Sequence, residues 1–286
     1  MSINKYYLGC PMWGNKAWTG SFFTSTAKPK DYLAQYSQVF NTVEGNTTFY
    51  GVPGPETIAK WRDAAEPSFR FAFKFPRTIS HDLKLMDADR EVDHFLKTLS
   101  PLGDLLGPFF LQLPPTFENF RALERFLLKL PRDFHYAIEP RHPAFYGDFE
   151  VDFVEMLTDL NMDRVIFDTR RLMSMETDDP ELKDAQRRKP KSPVRVTATA
   201  QHPFLRYVGR PDPSEDQDAI SGWARVIHGW ITEGRTPYIF MHQAPDDDLA
   251  PQLGALFHQH LQQLLPEVGD FPKWPADAES KQLELF

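Results

Sequence analysis

The sequence predicts a single (β/α)8 barrel followed by a short tail. Three observations predict it. Eight short apolar segments, rich in aromatic or β-branched residues, recur along the chain. Stripes at helical spacing lie between most of them. No Gly-x-Gly-x-x-Gly follows the first segment, which places a doubly wound open sheet second. The chain has 286 residues, enough for one barrel of about 250 residues or two domains of about 150.

The first strand is expected at Tyr6-Tyr7-Leu8-Gly9. Tyr32, Leu33, Tyr36, Val39 and Phe40 then recur as one helical face, and Phe40 to Glu44 forms the second strand. The third and fourth strands are Phe69 to Phe75 and Pro108 to Leu113. A helical stripe at Phe120, Leu123, Leu127 and Leu130 leads to the fifth strand, His135 to Glu139. Arg164 to Asp168 is the sixth. The span 170–203 breaks the rhythm. It holds an acidic stretch (Glu176, Asp178, Asp179, Glu181) and a basic run (Arg187, Arg188, Lys189, Lys191), and reads as a long loop with one short helix at most. The basic run reads as solvated, with a phosphate-gripping lid as the alternative.

The seventh strand, Phe204 to Val208, precedes a stripe at Ala219, Trp223, Val226, Ile227, Trp230 and Ile231. The eighth, Tyr238 to His242, precedes Leu249, Leu253, Leu256, Phe257, Leu261 and Leu264. The barrel is thus expected over 1–265. Residues 266–286, punctuated by Gly269, Pro272 and Pro275, read as a flexible tail.

Composition narrows the function classes. Hydrophobic residues at 41% and charged residues at 25% exclude a wholly disordered chain. A net charge of −8 argues against a polyanion binder that works by bulk charge, though not against a local basic cleft. No apolar run approaches the roughly 18 residues of a membrane span, so no membrane partner is expected. Met1 to Tyr7 lacks the apolar core of a secretory signal, and Cys10 is the one cysteine, so no internal disulfide or cysteine zinc cluster forms. A cytoplasmic setting is expected. The 25 prolines and 24 phenylalanines point to many short elements around a bulky aromatic core.

Chemistry in such barrels collects at the C-terminal ends of the strands. Reading those ends gives Trp13 and Trp18, then Glu44, Asn46, Phe49 and Tyr50, then Lys74, Arg77 and His81. Gln112 follows, then Glu139, Arg141 and His142, then Asp168 and Arg170, Arg206, and His242. This is a polar ring on apolar strands, costly to bury unless its members pair with one another or with a ligand. It reads either as a satisfied salt-bridge lattice or as a ligand site. As a site, Lys74, Arg141, Arg170 and Arg206 suit phosphate or carboxylate. Glu44, Glu139 or Asp168 would then be general acid or base. The carboxylates with His242 could instead hold a divalent metal, although the spacing carries no metal signature. Asn46, His81, Gln112 and His142 would add hydrogen bonds. Trp13, Trp18, Phe49, Tyr50 and Tyr146 would wall a sugar or a base. Cys10 reads as a packed small residue.

These strand ends also carry a resemblance. Phe40-Asn41-Thr42-Val43-Glu44-Gly45-Asn46-Thr47-Thr48-Phe49-Tyr50 resembles the hallmark of the YecE-like family, domain of unknown function seventy-two. Gly9-Cys10-Pro11-Met12-Trp13, Trp18-Thr19-Gly20, Phe71-Ala72-Phe73-Lys74 and Ile79-Ser80-His81 match in order. So do Leu111-Gln112-Leu113-Pro114-Pro115, Ile138-Glu139-Pro140-Arg141-His142 and Arg206-Tyr207. The resemblance covers about Tyr6 to Leu265. It implies a TIM-barrel fold and names no reaction. Two departures stand out. Val208-Gly209 follows Arg206 where many members have histidine and glycine, and Met241-His242-Gln243 stands where asparagines are frequent.

The final five residues, Gln282-Leu283-Glu284-Leu285-Phe286, resemble the peptide by which bacterial replication and repair proteins dock on the sliding clamp. Leu283, Leu285 and Phe286 would enter an apolar groove while the Gln282 amide fixes register. The alternative is a tail that folds back onto the barrel. Three functional expectations follow: a hydrolase-like enzyme acting on a phosphate-bearing substrate, associated with DNA through the clamp; a clamp-tethered adaptor that binds nucleic acid or nucleotide without catalysis; and a sugar- or polyol-handling enzyme unrelated to DNA.

Overall fold

The computed structural model describes residues 5–283. Eight strands alternate with helices. In order they are β1 (Tyr7–Gly9), α1 (Tyr32–Ser37), β2 (Thr42–Gly45), α2 (Pro55–Ala64), β3 (Arg70–Phe73), α3 (Asp89–Leu99), β4 (Phe109–Gln112) and α4 (Phe120–Lys129). Then follow β5 (Tyr136–Glu139), α5 (Glu150–Asp159), β6 (Asp163–Asp168), α6 (Arg170–Met173), α7 (Pro180–Arg188), β7 (Phe204–Gly209), α8 (Gln217–Thr232), β8 (Tyr238–Gln243), α9 (Ala250–Leu264) and α10 (Pro275–Leu283). The strands lie where the aromatic and β-branched runs placed them. Local chemistry sets the helix starts. Asn119 caps α4 by accepting from Ala122 N at 3.0 Å, and Asp179 caps α7 by accepting from Glu181 N at 2.8 Å, with Pro180 opening that helix.

Every strand pair is parallel. Six strands form one sheet in the order β1-β8-β7-β6-β5-β4, and β2 and β3 form a second. The fold is α/β and TIM-like. The sheets touch at both edges. Between β3 and β4, Gly107 N donates to Phe71 O at 2.9 Å and Phe75 N to Phe110 O at 3.0 Å. Between β1 and β2 the backbone contributes Glu44 N to Cys10 O at 3.1 Å, and side chains supply the rest. Asn41 accepts from Leu8 N at 2.7 Å and donates to Tyr6 O at 2.9 Å. The Tyr36 hydroxyl accepts from Cys10 N at 2.7 Å and donates to Thr42 O at 3.0 Å. The two strands approach so closely that a Cβ on Gly9 would stand 2.0 Å from Thr42 O, so only glycine fits there.

Alternate residues of a strand face opposite sides. On one side Ala72, Phe110, Ala137, Val165, Phe204, Tyr238 and Phe240 form an apolar cluster, with Tyr7 packed against it; together they come from seven of the eight strands. On the other side Val43, Phe71, Phe73, Leu111, Ile138, Leu205 and Met241 meet the helices in the main core. The phenylalanines fill that layer by edge and face contacts, among them Phe75 with Phe95 at 5.3 Å and Phe95 with Phe109 at 5.4 Å. Each such ring contributes about 1.5–3 kcal/mol by burial.

Two segments differ from expectation. The span 170–203 holds two helices, α6 and α7, rather than at most one. Leu182 and Ala185 of α7 bury against Phe167, Leu172, Val208 and Ala244, an amphipathic stripe hidden within a charged sequence. The segment after Pro266 is docked as far as Glu279. Phe271 packs on Phe40 at 5.6 Å and Trp274 on Phe22 at 5.4 Å. The Glu279 carboxylate accepts from Ser25 N at 2.7 Å and Ser25 Oγ at 2.9 Å. Two large aromatics hold the segment where Pro and Gly suggested flexibility. Of the pentapeptide, the Gln282 and Leu283 side chains, and all of Leu285 and Phe286, lie outside the described residues. Among the described residues no helix is long and apolar enough to cross a membrane.

Candidate functional site

The strand alternation that builds the inner apolar cluster also builds the site. Two residues beyond Ala72, Phe110, Ala137, Val165, Phe204 and Phe240 stand Lys74, Gln112, Glu139, Phe167, Arg206 and His242; Glu44 is in register with Ala72. One strand step above the apolar cluster, the same face therefore becomes polar. Glu44, Lys74, Gln112, Glu139, Arg206 and His242 are all buried.

Arg206 is the hub. Its Nε and Nη2 bind the two oxygens of Glu44, each at 2.7 Å, and its Nη1 reaches Glu139 at 2.5 Å. The other Glu139 oxygen takes Arg141 Nε at 2.7 Å. Arg141 and Lys74 both donate to Gln112 Oε1, at 2.7 and 2.8 Å. His242 Nε2 lies 3.1 Å from Glu44, and Asn46 donates to the same carboxylate at 2.6 Å. Aromatic faces complete the cage: Phe167 lies 4.4 Å from the Arg206 guanidinium and Phe49 lies 4.1 Å from Lys74 Nζ.

This arrangement sets the protonation states. Burial alone would raise the Glu44 carboxyl, but Arg206 and His242 overcome it and hold it well below the usual carboxylate range. Burial likewise opposes ionisation of Glu139, and Arg206 and Arg141 bring it down to about 2. Arg206 is held more firmly protonated than usual by both carboxylates, against the effect of burial. Lys74 goes the other way. Burial, then the neighbouring Arg206 and Arg141, lower its ammonium to about 7 despite Glu139 and Glu44. His81 is lowered to about 4 by burial, Lys74 and Arg77.

Most of the residues expected at the strand ends do converge. His81 sits in a π-helical turn over Thr78–Asp82, its ring edge-on to Phe49 at 5.1 Å and its Nδ1 2.8 Å from Ser80 Oγ. Such turns recur at functional sites. His142 is at the rim, its Nδ1 accepting from Ala144 N at 3.3 Å and its Nε2 3.6 Å from Glu118.

Others lie elsewhere. Asp168 faces the helices, not the ring, because it is one residue out of phase with Phe167. It accepts from Trp223 Nε1 and Arg170 Nη2, both at 2.8 Å, and Arg170 is exposed. Trp18 is buried between Phe22, Phe23 and Tyr36, its Nε1 donating to Asp247 O at 3.2 Å. Trp13 packs edge-on to Trp61 at 5.3 Å and Phe71 at 5.9 Å, on the helix side. Tyr50 is 85% exposed and Arg77 pairs with Asp82 at the surface. Tyr146 lies under the Arg164 guanidinium. Cys10 is fully buried. Among the described residues no group of three His, Cys, Asp or Glu could hold a metal ion; the carboxylates that might have done so are engaged by Arg206.

One participant, Asp247, escapes the sequence reading, and another, Lys189, reads there as solvated with a phosphate-gripping lid as the alternative. Lys189, from the basic run, is half-buried; its ammonium is lowered by burial, favoured by Asp247 and opposed by Arg206. The segment that carries it is pinned by Thr169 Oγ1 donating to Pro190 O at 2.9 Å and by Gln186 Nε2 donating to Leu172 O at 2.9 Å. Asp247, in the turn after β8, accepts from Gln243 N at 2.7 Å and lies 4.0 Å from His242 Nδ1. Burial raises its carboxyl. The signal for Lys189 was the Leu182–Ala185 stripe just before it.

Comparison with known proteins matches residues 7–278 to the family described as "Protein of unknown function DUF72". The chain is 38% identical over 273 residues to the UPF0759 protein YecE of Escherichia coli K12, covering 94% of this chain and 97% of that protein. Two crystal structures of DUF72 family proteins share the fold. One, from Enterococcus faecalis V583, has a TM-score of 0.66 at 18% identity, over 91% of this chain and 95% of its own. The other, from Thermotoga maritima MSB8, has a TM-score of 0.63 at 20% identity, over 91% and 99%.

Proposed function

The chain belongs to the DUF72 family, which is described without an activity, and from the strand-end geometry we propose that it is an enzyme that binds a phosphate-bearing small molecule there. One observation carries the reading: cations outnumber ionised carboxylates. Lys74, Arg141 and Arg206 converge on Glu44 and Glu139, and Lys189 adds a fourth positive group from the covering segment. Arg206 is saturated by its two carboxylates. Arg141, whose Nε and Nη2 are held by Glu139 and Gln112, and Lys189 are the half-buried cations left to meet an incoming anion. Glu44 and Glu139, held ionised as counter-ions to Arg206, are weak bases. Proton transfer therefore falls to Lys74, whose ammonium is lowered to about 7. A phosphoester hydrolase remains the reaction class this supports, with proton transfer moved off the carboxylates and Asp168 left out.

This reading takes the two sheets as one closed (β/α)8 barrel. The hydrogen bonds at both seams and the inner cluster drawn from seven strands support closure. The test is calorimetric titration with phosphorylated metabolites and their dephosphorylated counterparts. Phosphorylated members should bind preferentially, and Arg141→Ala should weaken them by at least tenfold. Equal binding of both forms, or none of either, would overturn the reading.

The pentapeptide Gln282 to Phe286 supports a second, separable association, with a bacterial sliding clamp, which would bring the protein to DNA. Calorimetry with the full chain and with one ending at Lys281 tests it. Binding lost on truncation supports docking; no binding by either form removes the DNA association.

A further inference from the structure

Lys74 has a proton to move at the anion site, but its surroundings do more than that role needs. Among the described residues no carboxylate stands within ion-pair distance of Lys74 Nζ, although Glu139 and Glu44 act on it from further off. It donates to the amide oxygen of Gln112 rather than to a carboxylate, and it lies over the face of Phe49 at 4.1 Å. The Arg206 and Arg141 guanidiniums, which hold Glu44 and Glu139, add positive charge beside it. A lysine with no direct carboxylate partner, desolvated and set beside other cations, is in the environment that makes an amine nucleophilic at neutral pH. Lysines serving only as ion-pair partners need none of this.

We propose that Lys74 is a covalent catalytic residue that forms an iminium with the carbonyl carbon of an anionic aldehyde or ketone, whose phosphate is held by Arg141 and Lys189. This rests on the anion reading of the same site and names the substrate's other functional group. The Nζ lone pair adds to the carbonyl carbon, forming the N–C bond and a carbinolamine. The C–O bond then breaks. The oxygen leaves as water, carrying one amine proton and one proton from solvent, and the iminium keeps one proton on nitrogen. No oxidant or reductant enters. The iminium charge occupies the place of the ammonium, where Glu139 and Glu44 favour it. His81, beside Phe49 and largely unprotonated at neutral pH, is placed to relay the proton.

The experiment is reductive trapping of the whole wild-type protein. Substoichiometric glycolaldehyde phosphate and cyanoborohydride are added at pH 7, and modified lysines are mapped by peptide mass spectrometry. At that pH a group titrating near 7 is half unprotonated, whereas an ordinary lysine near 10.4 is unprotonated in roughly one molecule in 2,500. Lys74 should therefore label at least tenfold faster than any exposed lysine, even allowing for its limited access. Excess inorganic phosphate should slow that labelling and leave surface lysines unaffected. Labelling spread over exposed lysines, with Lys74 unmodified, overturns the inference. Calorimetry with a phosphate ester that lacks a carbonyl separates the two readings. If the ester binds while Lys74 stays unlabelled, the carbonyl inference alone fails. If neither occurs, both fail.

Discussion

Arg206 meets the ring's main carboxylates, and its substitution is the most informative single change. Arg206→Met leaves Glu44 and Glu139 buried without their shared partner, a loss on the order of 3–5 kcal/mol. Thermal unfolding should show a marked fall in Tm, and a change smaller than about 1 kcal/mol would mean the carboxylates re-pair with Arg141 or Lys74. Another buried carboxyl, Asp163, gives a prediction at the opposite strand ends. Burial raises it to about 7, although His202 N donates to it at 3.1 Å and Arg235 attracts it. A carboxyl raised in the folded state contributes stability that is complete below about 4 and lost as pH rises through about 7. The nearby His202, lowered to about 4 by burial and His135, contributes the other way: its stability is present above about 6.5 and lost as pH falls through 4. Asp163→Asn should therefore gain stability on the order of 4 kcal/mol at pH 8 and clearly less, about 1–2 kcal/mol, at pH 5, where the unfolded carboxyl is already ionised but the difference has not fully accumulated. Denaturant titrations at the two pH values check this; an equal effect at both would show that the charge is not the cause.

Among the elements, α7 bears most directly on the proposed anion site, because Lys189 follows its last turn. Lys189→Ala should weaken anion binding severalfold while leaving Tm nearly unchanged, since its stem is only half-buried. Leu182→Ala should do both: it removes the contact that seats the helix, at about 2–3 kcal/mol. Titration calorimetry beside thermal melts separates the two effects. The strand positions were legible in the sequence because aromatic and β-branched runs such as Phe109-Phe110-Leu111 have few other uses. The ring was legible because strand alternation carries Glu44, Lys74, Gln112, Glu139, Arg206 and His242 to one side. Asp168 was misplaced for want of phase: one residue of register decides whether a strand-end carboxylate meets the ring or Trp223. Trp18 and Trp13 illustrate a different limit. A tryptophan after a strand can wall a ligand or fill a core, and only the neighbours decide. Lys189 reads as solvated because the charged run around it masks Leu182 and Ala185, which anchor its helix.

For the whole molecule, the strand-end network couples folding to acidity. Glu44 and Glu139 are both held below their unfolded values, so the stability they contribute is present above about 4.3 and is lost as pH falls towards about 2. Acid unfolding should be steep below pH 4, and chemical denaturation followed from pH 6 to pH 2 would reveal it; a flat profile would place the stabilising charges elsewhere. The join between β1 and β2 has a consequence of another kind. Its connections run mainly through the side chains of Asn41 and Tyr36, with one backbone bond from Glu44 N to Cys10 O, whereas β7 and β8 are laced backbone to backbone. Two sheets stitched in this way have a fracture line between them. Amides of Leu8 and Cys10 should trade their protons for deuterium sooner than those of Ile239 and Phe240, and Asn41→Ala should widen that gap. When the line parts, two bare strand edges face solvent, so the same substitution should also make the protein prone to edge-to-edge self-association.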